Sequence, residues 1–143
     1  MKAVSHILRA RKGNIVSVGP DDTVRQALLV MADADVGAVL VMDEGRLTGI
    51  LSERDYARKI VLKGKMSEGT RVREIMSERV ICIAMDTTLE QAMAIMSERS
   101  IRHLPVVDGS GLLAGVISIR DLVREIISEQ SFVIEQLEKY IAT

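Results

Sequence analysis

The 143-residue chain holds one cysteine, two prolines, one phenylalanine, two tyrosines and no tryptophan. A lone cysteine, Cys82, excludes an internal disulfide, and together with His6 it is too little for a zinc site, which takes three or four protein ligands. Scarce aromatics leave no platform on which nucleic-acid bases could stack. No charge dominates: nineteen basic and twenty acidic residues give a formal net charge of −1. No global field therefore draws the chain to nucleic acid or an anionic membrane, and any anion must be held locally. No run approaches the roughly 18 apolar residues that span a bilayer. The start, Met1-Lys2-Ala3-Val4-Ser5, does not resemble a signal peptide, so a reducing, cytoplasmic location is expected.

At 48% hydrophobic and 27% charged, the chain has the composition of a folded globular protein that needs no staples. Its strongest feature is an internal repeat. Thr23-Val24-Arg25-Gln26-Ala27-Leu28 overlays Thr88-Leu89-Glu90-Gln91-Ala92-Met93 at an offset of 88 − 23 = 65 residues. One added residue near Ser110 moves the offset to 66, and Gly49-Ile50-Leu51-Ser52-Glu53-Arg54-Asp55 then meets Gly115-Val116-Ile117-Ser118-Ile119-Arg120-Asp121.

Each repeat reads as strand, helix, strand, strand, helix. The first strands are the short apolar pieces Ile15–Val18 and Val80–Ile83, where Cys82 reads as a small buried residue. The helices follow from apolar positions at i, i+3, i+4 and i+7, namely Val24, Ala27, Leu28 and Met31, then Leu89, Ala92, Met93 and Met96. Their methionines read as packing residues, and Thr87-x-x-Glu90 reads as a capping box. Paired strands at 39–42 and 47–52, and at 104–107 and 112–118, have Gly-containing turns between them. So small a sheet cannot bury both faces alone, and the expected architecture is an α+β module of two repeats packed sheet to sheet about a pseudo-twofold. The expected domains are residues 1–60, the first repeat with its lead-in; 61–75, an exposed linker and lead-in; 76–128, the second repeat; and 129–143, a helical extension.

The motifs Gly49-Ile50-Leu51-Ser52-x-x-Asp55, Gly115-Val116-Ile117-Ser118-x-x-Asp121 and Ile101-Arg102-His103-Leu104-Pro105-Val106-Val107-Asp108 resemble those of tandem cystathionine-β-synthase-type (CBS) repeats along almost the whole chain. The resemblance implies a cleft between the repeats for an adenosyl ligand: AMP, ADP, ATP or NAD(H). It puts ribose hydroxyls on Asp55 and Asp121 and phosphates near the Ser52 and Ser118 hydroxyls. It also implies that backbone grips the adenine, around Ser17 and Ile83, around Gly37-Ala38, and around His103-Leu104. A carboxylate suits a ribose diol, and Arg54 and Arg120 supply charge for phosphate. The second repeat has Arg102-His103-Leu104-Pro105 where the first has Gly37-Ala38-Val39-Leu40, so the two sites can differ in ligand, for instance NAD(H) in one and AMP in the other.

Each of these residues also has a plainer reading. Both Ser-x-x-Asp motifs fit ordinary helix capping. Arg102 reaches a phosphate or pairs with a surface acid. His103 has no partner fixed beside it in sequence to make it a base. Neither a glycine-rich phosphate loop nor a metal-ligand cluster is present, so catalytic residues and metals are not expected. The residues favour a sensor that acts on a separate target protein over a ligand-free dimeric scaffold, a nucleotide-processing enzyme or a nucleic-acid binder. From Ile119 onward Leu122, Val123, Ile126, Ile127, Val133, Leu137 and Ile141 make an apolar stripe that calls for a partner, and the resemblance implies a homodimer.

Overall fold

The computed structural model describes residues 2–10 and 16–142. Chain order is α1 (Val4–Ala10), β1 (Ser17–Val18), α2 (Val24–Ala34), β2 (Ala38–Asp43), β3 (Arg46–Ser52), α3 (Glu53–Tyr56) running into a π-turn (Ala57–Val61), α4 (Val72–Ile75), β4 (Ile83–Ala84), α5 (Leu89–Arg99), β5 (His103–Val107), β6 (Leu113–Ser118) and α6 (Ile119–Ala142). Two compact units result, one from described residues 16–80 and the other from 2–10 with 81–142.

In each unit a three-stranded mixed sheet places the middle strand parallel to the first and antiparallel to the third, in the orders β1-β2-β3 and β4-β5-β6. The helices that follow the first strands carry the expected faces: Val24, Ala27 and Met31 are buried on α2, and Leu89, Ala92 and Met96 on α5. Both start with the same capping box, and here the structure corrects the expectation of Thr87 and Glu90. Thr88 is the cap, its hydroxyl accepting from Gln91 N at 3.1 Å while Gln91 Oε1 accepts from Thr88 N at 3.0 Å. Thr23 and Gln26 make the same pair at 3.1 and 2.8 Å. Thr-x-x-Gln is the pattern both repeats share, and the glutamine amide satisfies the cap nitrogen as a glutamate would.

Both first strands are shorter than expected, and the second starts one residue later than its counterpart, for a reason in the neighbouring strand. In the first unit Leu40 N donates to Val16 O at 3.3 Å. At the 65-residue offset the donor would be Pro105, which has no N–H, so the parallel ladder loses that bond and β4 begins only at Ile83. Cys82 lies just before the strand and is exposed, which corrects its reading as a buried strand residue. Partial desolvation still raises its thiol above the ordinary pKa. Ile15, expected in β1, lies outside the described residues.

The lead-in segments are exchanged. Helix α1, written before the first repeat, packs in the unit of the second: Val4 is fully buried there, and Val4 N donates to Thr87 O at 2.8 Å. Helix α4 packs on the first repeat, with Val72 and Ile75 in its core and Val72 N donating to Asp22 O at 2.8 Å. Each lead-in lies across the outer strand at a glycine. A Cβ on Gly49 would stand 2.7 Å from Met76 Sδ and 3.0 Å from Ser77 O, and one on Gly115 would stand 2.7 Å from Leu8 Cδ2. Ser77 cannot retreat, because it exchanges backbone hydrogen bonds of 3.0 and 2.9 Å with Ile50. Leu8 meets Gly115 only with the end of a mobile side chain. Gly49→Ala should therefore cost about 1–3 kcal/mol and Gly115→Ala clearly less, read from urea midpoints. Equal costs would contradict the backbone explanation.

Candidate functional site

Within the unit of residues 16–80, β2 begins where β3 ends, with Ala38 paired to Ser52. The first amide of α3, Glu53 N, donates to Gly37 O at 3.0 Å. Ser52 has an extended backbone (φ −114°, ψ 164°) and caps the helix, its hydroxyl accepting from Asp55 N at 3.2 Å. Asp55 Oδ2 accepts in return from Ser52 N at 2.9 Å and from Ser52 Oγ at 3.0 Å. The other oxygen, Oδ1, faces Lys59 Nζ at 3.3 Å, and that ammonium also donates to Ile75 O at 2.8 Å. One turn of helix thus holds a carboxylate at the sheet edge and ties it to the lead-in.

The other unit repeats the arrangement with a different counter-charge. His103 pairs with Ser118, Ile119 N donates to Arg102 O at 2.8 Å, Ser118 N donates to Asp121 Oδ2 at 2.8 Å, and Asp121 N donates to Ser118 Oγ at 3.1 Å. At the 66-residue offset the counterpart of Lys59 is Glu125. Glu125 Oε1 lies 2.7 Å from Lys2 Nζ and 3.2 Å from His6 Nε2, so it too is bound to the lead-in, with the charges inverted. The hydrogen bond from Lys2 holds the Glu125 carboxyl below its ordinary pKa, and the same bond raises that of Lys2.

The residues singled out in sequence fall into two groups. Gly37, Ala38, Ser52, Arg54 and Asp55 gather at one sheet edge, with Ser17 exposed on β1 opposite Leu40. Arg102, His103, Ser118, Arg120 and Asp121 gather at the corresponding edge of the other sheet, where Leu104 and Pro105 are buried. Ile83 is core, so it has only backbone to offer a ligand. Because Val18 pairs with Val41 and Ile83 with Val106, the equivalent of Ser17 is Cys82 rather than Ile83. Lys59 and Glu125 escaped the sequence reading; their signal is the i+4 spacing from each Asp, which puts them on the same helix face. Among the described residues no cluster of three or more metal-ligating side chains occurs, and no helix is long and apolar enough to cross a membrane.

A β-α-β-β-α unit used twice, each copy with a capped helix at the end of its sheet, defines a tandem-repeat α+β protein. The chain belongs to the CBS domain family, whose sequence model matches residues 4–62 and 72–128. It is 39% identical over 126 residues to the CBS domain-containing protein CBSX3, mitochondrial, of Arabidopsis thaliana, covering 85% of this chain and 61% of that protein. A second relative, from Methanopyrus kandleri, is 31% identical, and the chain covers 63% of its length. The chain thus spans under two thirds of these two relatives. It is 32% identical to CBS domain-containing protein YhcV of Bacillus subtilis, covering 82% of each chain. Among solved structures it superposes on a protein with CBS domains from Burkholderia ambifaria MC40-6 with a TM-score of 0.86, at 43% identity, covering 90% of this chain and 96% of that one.

Two outcomes follow from the edge geometry. Ser52→Ala and Ser118→Ala should each lower stability by about 0.5–2 kcal/mol in chemical denaturation, because each removes a helix cap. Glu125, its folded-state pKa depressed, contributes stability that is present above its unfolded value of about 4.5 and is lost as pH falls through the folded value. Glu125→Gln should flatten the acid limb of the stability curve below that pH, and an unchanged limb would discount the Lys2 contact.

Proposed function

We propose that the protein binds an adenosyl ligand, AMP, ADP, ATP or NAD(H), at the two sheet edges and regulates a separate target protein rather than catalysing a reaction. The observation that carries the reading is the duplication of one polar arrangement. In both units a Ser-x-x-Asp helix start meets the carbonyl that precedes the central strand, at 3.0 Å in one and 2.8 Å in the other. The carboxylates of Asp55 and Asp121 suit a ribose diol, and Ser52 and Ser118 with Arg54 and Arg120 suit phosphate. Arg54, half-buried, and Arg120, exposed, make no ion pair with another described residue, which leaves their charge for an anion. Backbone at exposed Ser17 and at half-buried Gly37, Ala38 and His103 suits an adenine edge. A CBS pair of this fold, 23% identical with a TM-score of 0.78, was solved with 5′-methylthioadenosine and S-adenosyl-L-methionine, so the fold accepts adenosyl groups in that protein. In the same reading the protein works as a homodimer.

Calorimetric titration with AMP, ADP, ATP, NAD⁺, NADH and S-adenosylmethionine tests this directly. Binding by at least one, weakened about tenfold or more in Asp55→Ala or Asp121→Ala through loss of a charge-assisted hydrogen bond, is the expected result. Thr23→Ala and Thr88→Ala, which remove helix caps outside the proposed site, serve as controls for lost capping. Absence of binding by all six would sink the reading and leave a ligand-free scaffold.

A further inference from the structure

Helix α6 runs 24 residues, and from Gln130 to Ala142 every residue is exposed. A segment of that length is marginal as an isolated helix in water, so its apolar side calls for a cover. Val123, Ile127, Gln130, Ile134, Leu137 and Ile141 are spaced by four, three, four, three and four residues, the 3.5-residue period of a coiled-coil seam. Their apolar members are 42%, 56%, 56%, 55% and 81% exposed. Charges beside the seam decide what covers it. Arg124 and Glu138 flank it at equivalent positions two heptads apart, and Val133 lies along the opposite flank. Laid antiparallel on a copy of itself about its midpoint, the stripe brings Arg124 beside the partner's Glu138 and Glu138 beside the partner's Arg124, while Val133 meets its own copy. Parallel pairing brings Val133 against the partner's Glu138 and leaves Arg124 without an acid.

We infer that α6 is an antiparallel self-association seam over residues 123–141, occupied by a second copy of this chain. A twofold axis then satisfies both charge pairs with one contact, as an isologous interface requires. The inference deepens the homodimer reading by naming its surface and direction. Ile127 faces the partner's Leu137, whereas Ile127 is far from the partner's Ile127.

Sedimentation of the purified chain should give about twice the 15.7 kDa chain mass, and Ile134→Asp, at an exposed position, should give a folded monomer by circular dichroism. Arg124→Glu should weaken the dimer about tenfold by setting like charges together, with recovery in Arg124→Glu/Glu138→Arg. In a Cys82→Ser background, Ile127→Cys mixed with Leu137→Cys should crosslink as the heterodimer, and neither variant should crosslink to itself. A monomeric wild type would overturn the homodimer reading and the seam together. A dimer that survives Ile134→Asp, or self-crosslinking of Ile127→Cys, would overturn the seam alone.

Discussion

The close approach of a lead-in segment to a glycine on the outer strand is the contact on which each unit depends. Three strands and one long helix cannot enclose a core by themselves, and the third strand would otherwise present an open edge. At Gly49 the absent side chain lets Met76 and Ser77 close over β3, and the Ile50–Ser77 bridge satisfies the edge hydrogen bonds. Leu8 occupies the corresponding room over Gly115. Each lead-in then drops apolar residues into the core, Val72 and Ile75 in one unit and Val4 in the other. Since α1 serves the later repeat, the unit that contains it holds both ends of the described chain, and neither unit coincides with the residues of one contiguous repeat.

Much of this was legible because it is local. The 3.6-residue period marked the buried faces of α2 and α5, and alternating apolar runs marked β2, β3, β5 and β6 to within a residue. Duplication marked the polar edges, since the two Ser-x-x-Asp segments recur at one offset and each caps a helix. What escaped depends on contacts distant in sequence. Nothing in Val4–Ala10 distinguishes the sheet it follows from the sheet it covers, because either would bury the same valine. Cys82 read as buried because its neighbours are apolar, yet its strand pairing hinges on Pro105, more than twenty residues on. That proline sits in plain view of the sequence, and its missing N–H foretells a β4 that starts one residue later than its counterpart. The capping pair was displaced by one residue for a smaller reason: two adjacent threonines compete, and only comparison between the repeats selects Thr88.

The two polar edges share hydrogen-bond geometry but differ in charge. Lys59 sets a cation against Asp55 and simultaneously holds the carbonyl at the end of α4. Under the proposed nucleotide reading, a ribose would meet a carboxylate already paired with a cation, and a phosphate would have an ammonium nearby. At the other edge the equivalent helix position is Glu125, whose charge is spent on Lys2 and His6 of the lead-in. There the nearby cations of the edge itself are Arg120 and Arg102. The two edges, built on one backbone template, thus carry unlike charge. In both, the residue that sets the field is also the residue that grips the lead-in. The charge at each edge and the hold on the segment that closes its sheet therefore rest on one side chain.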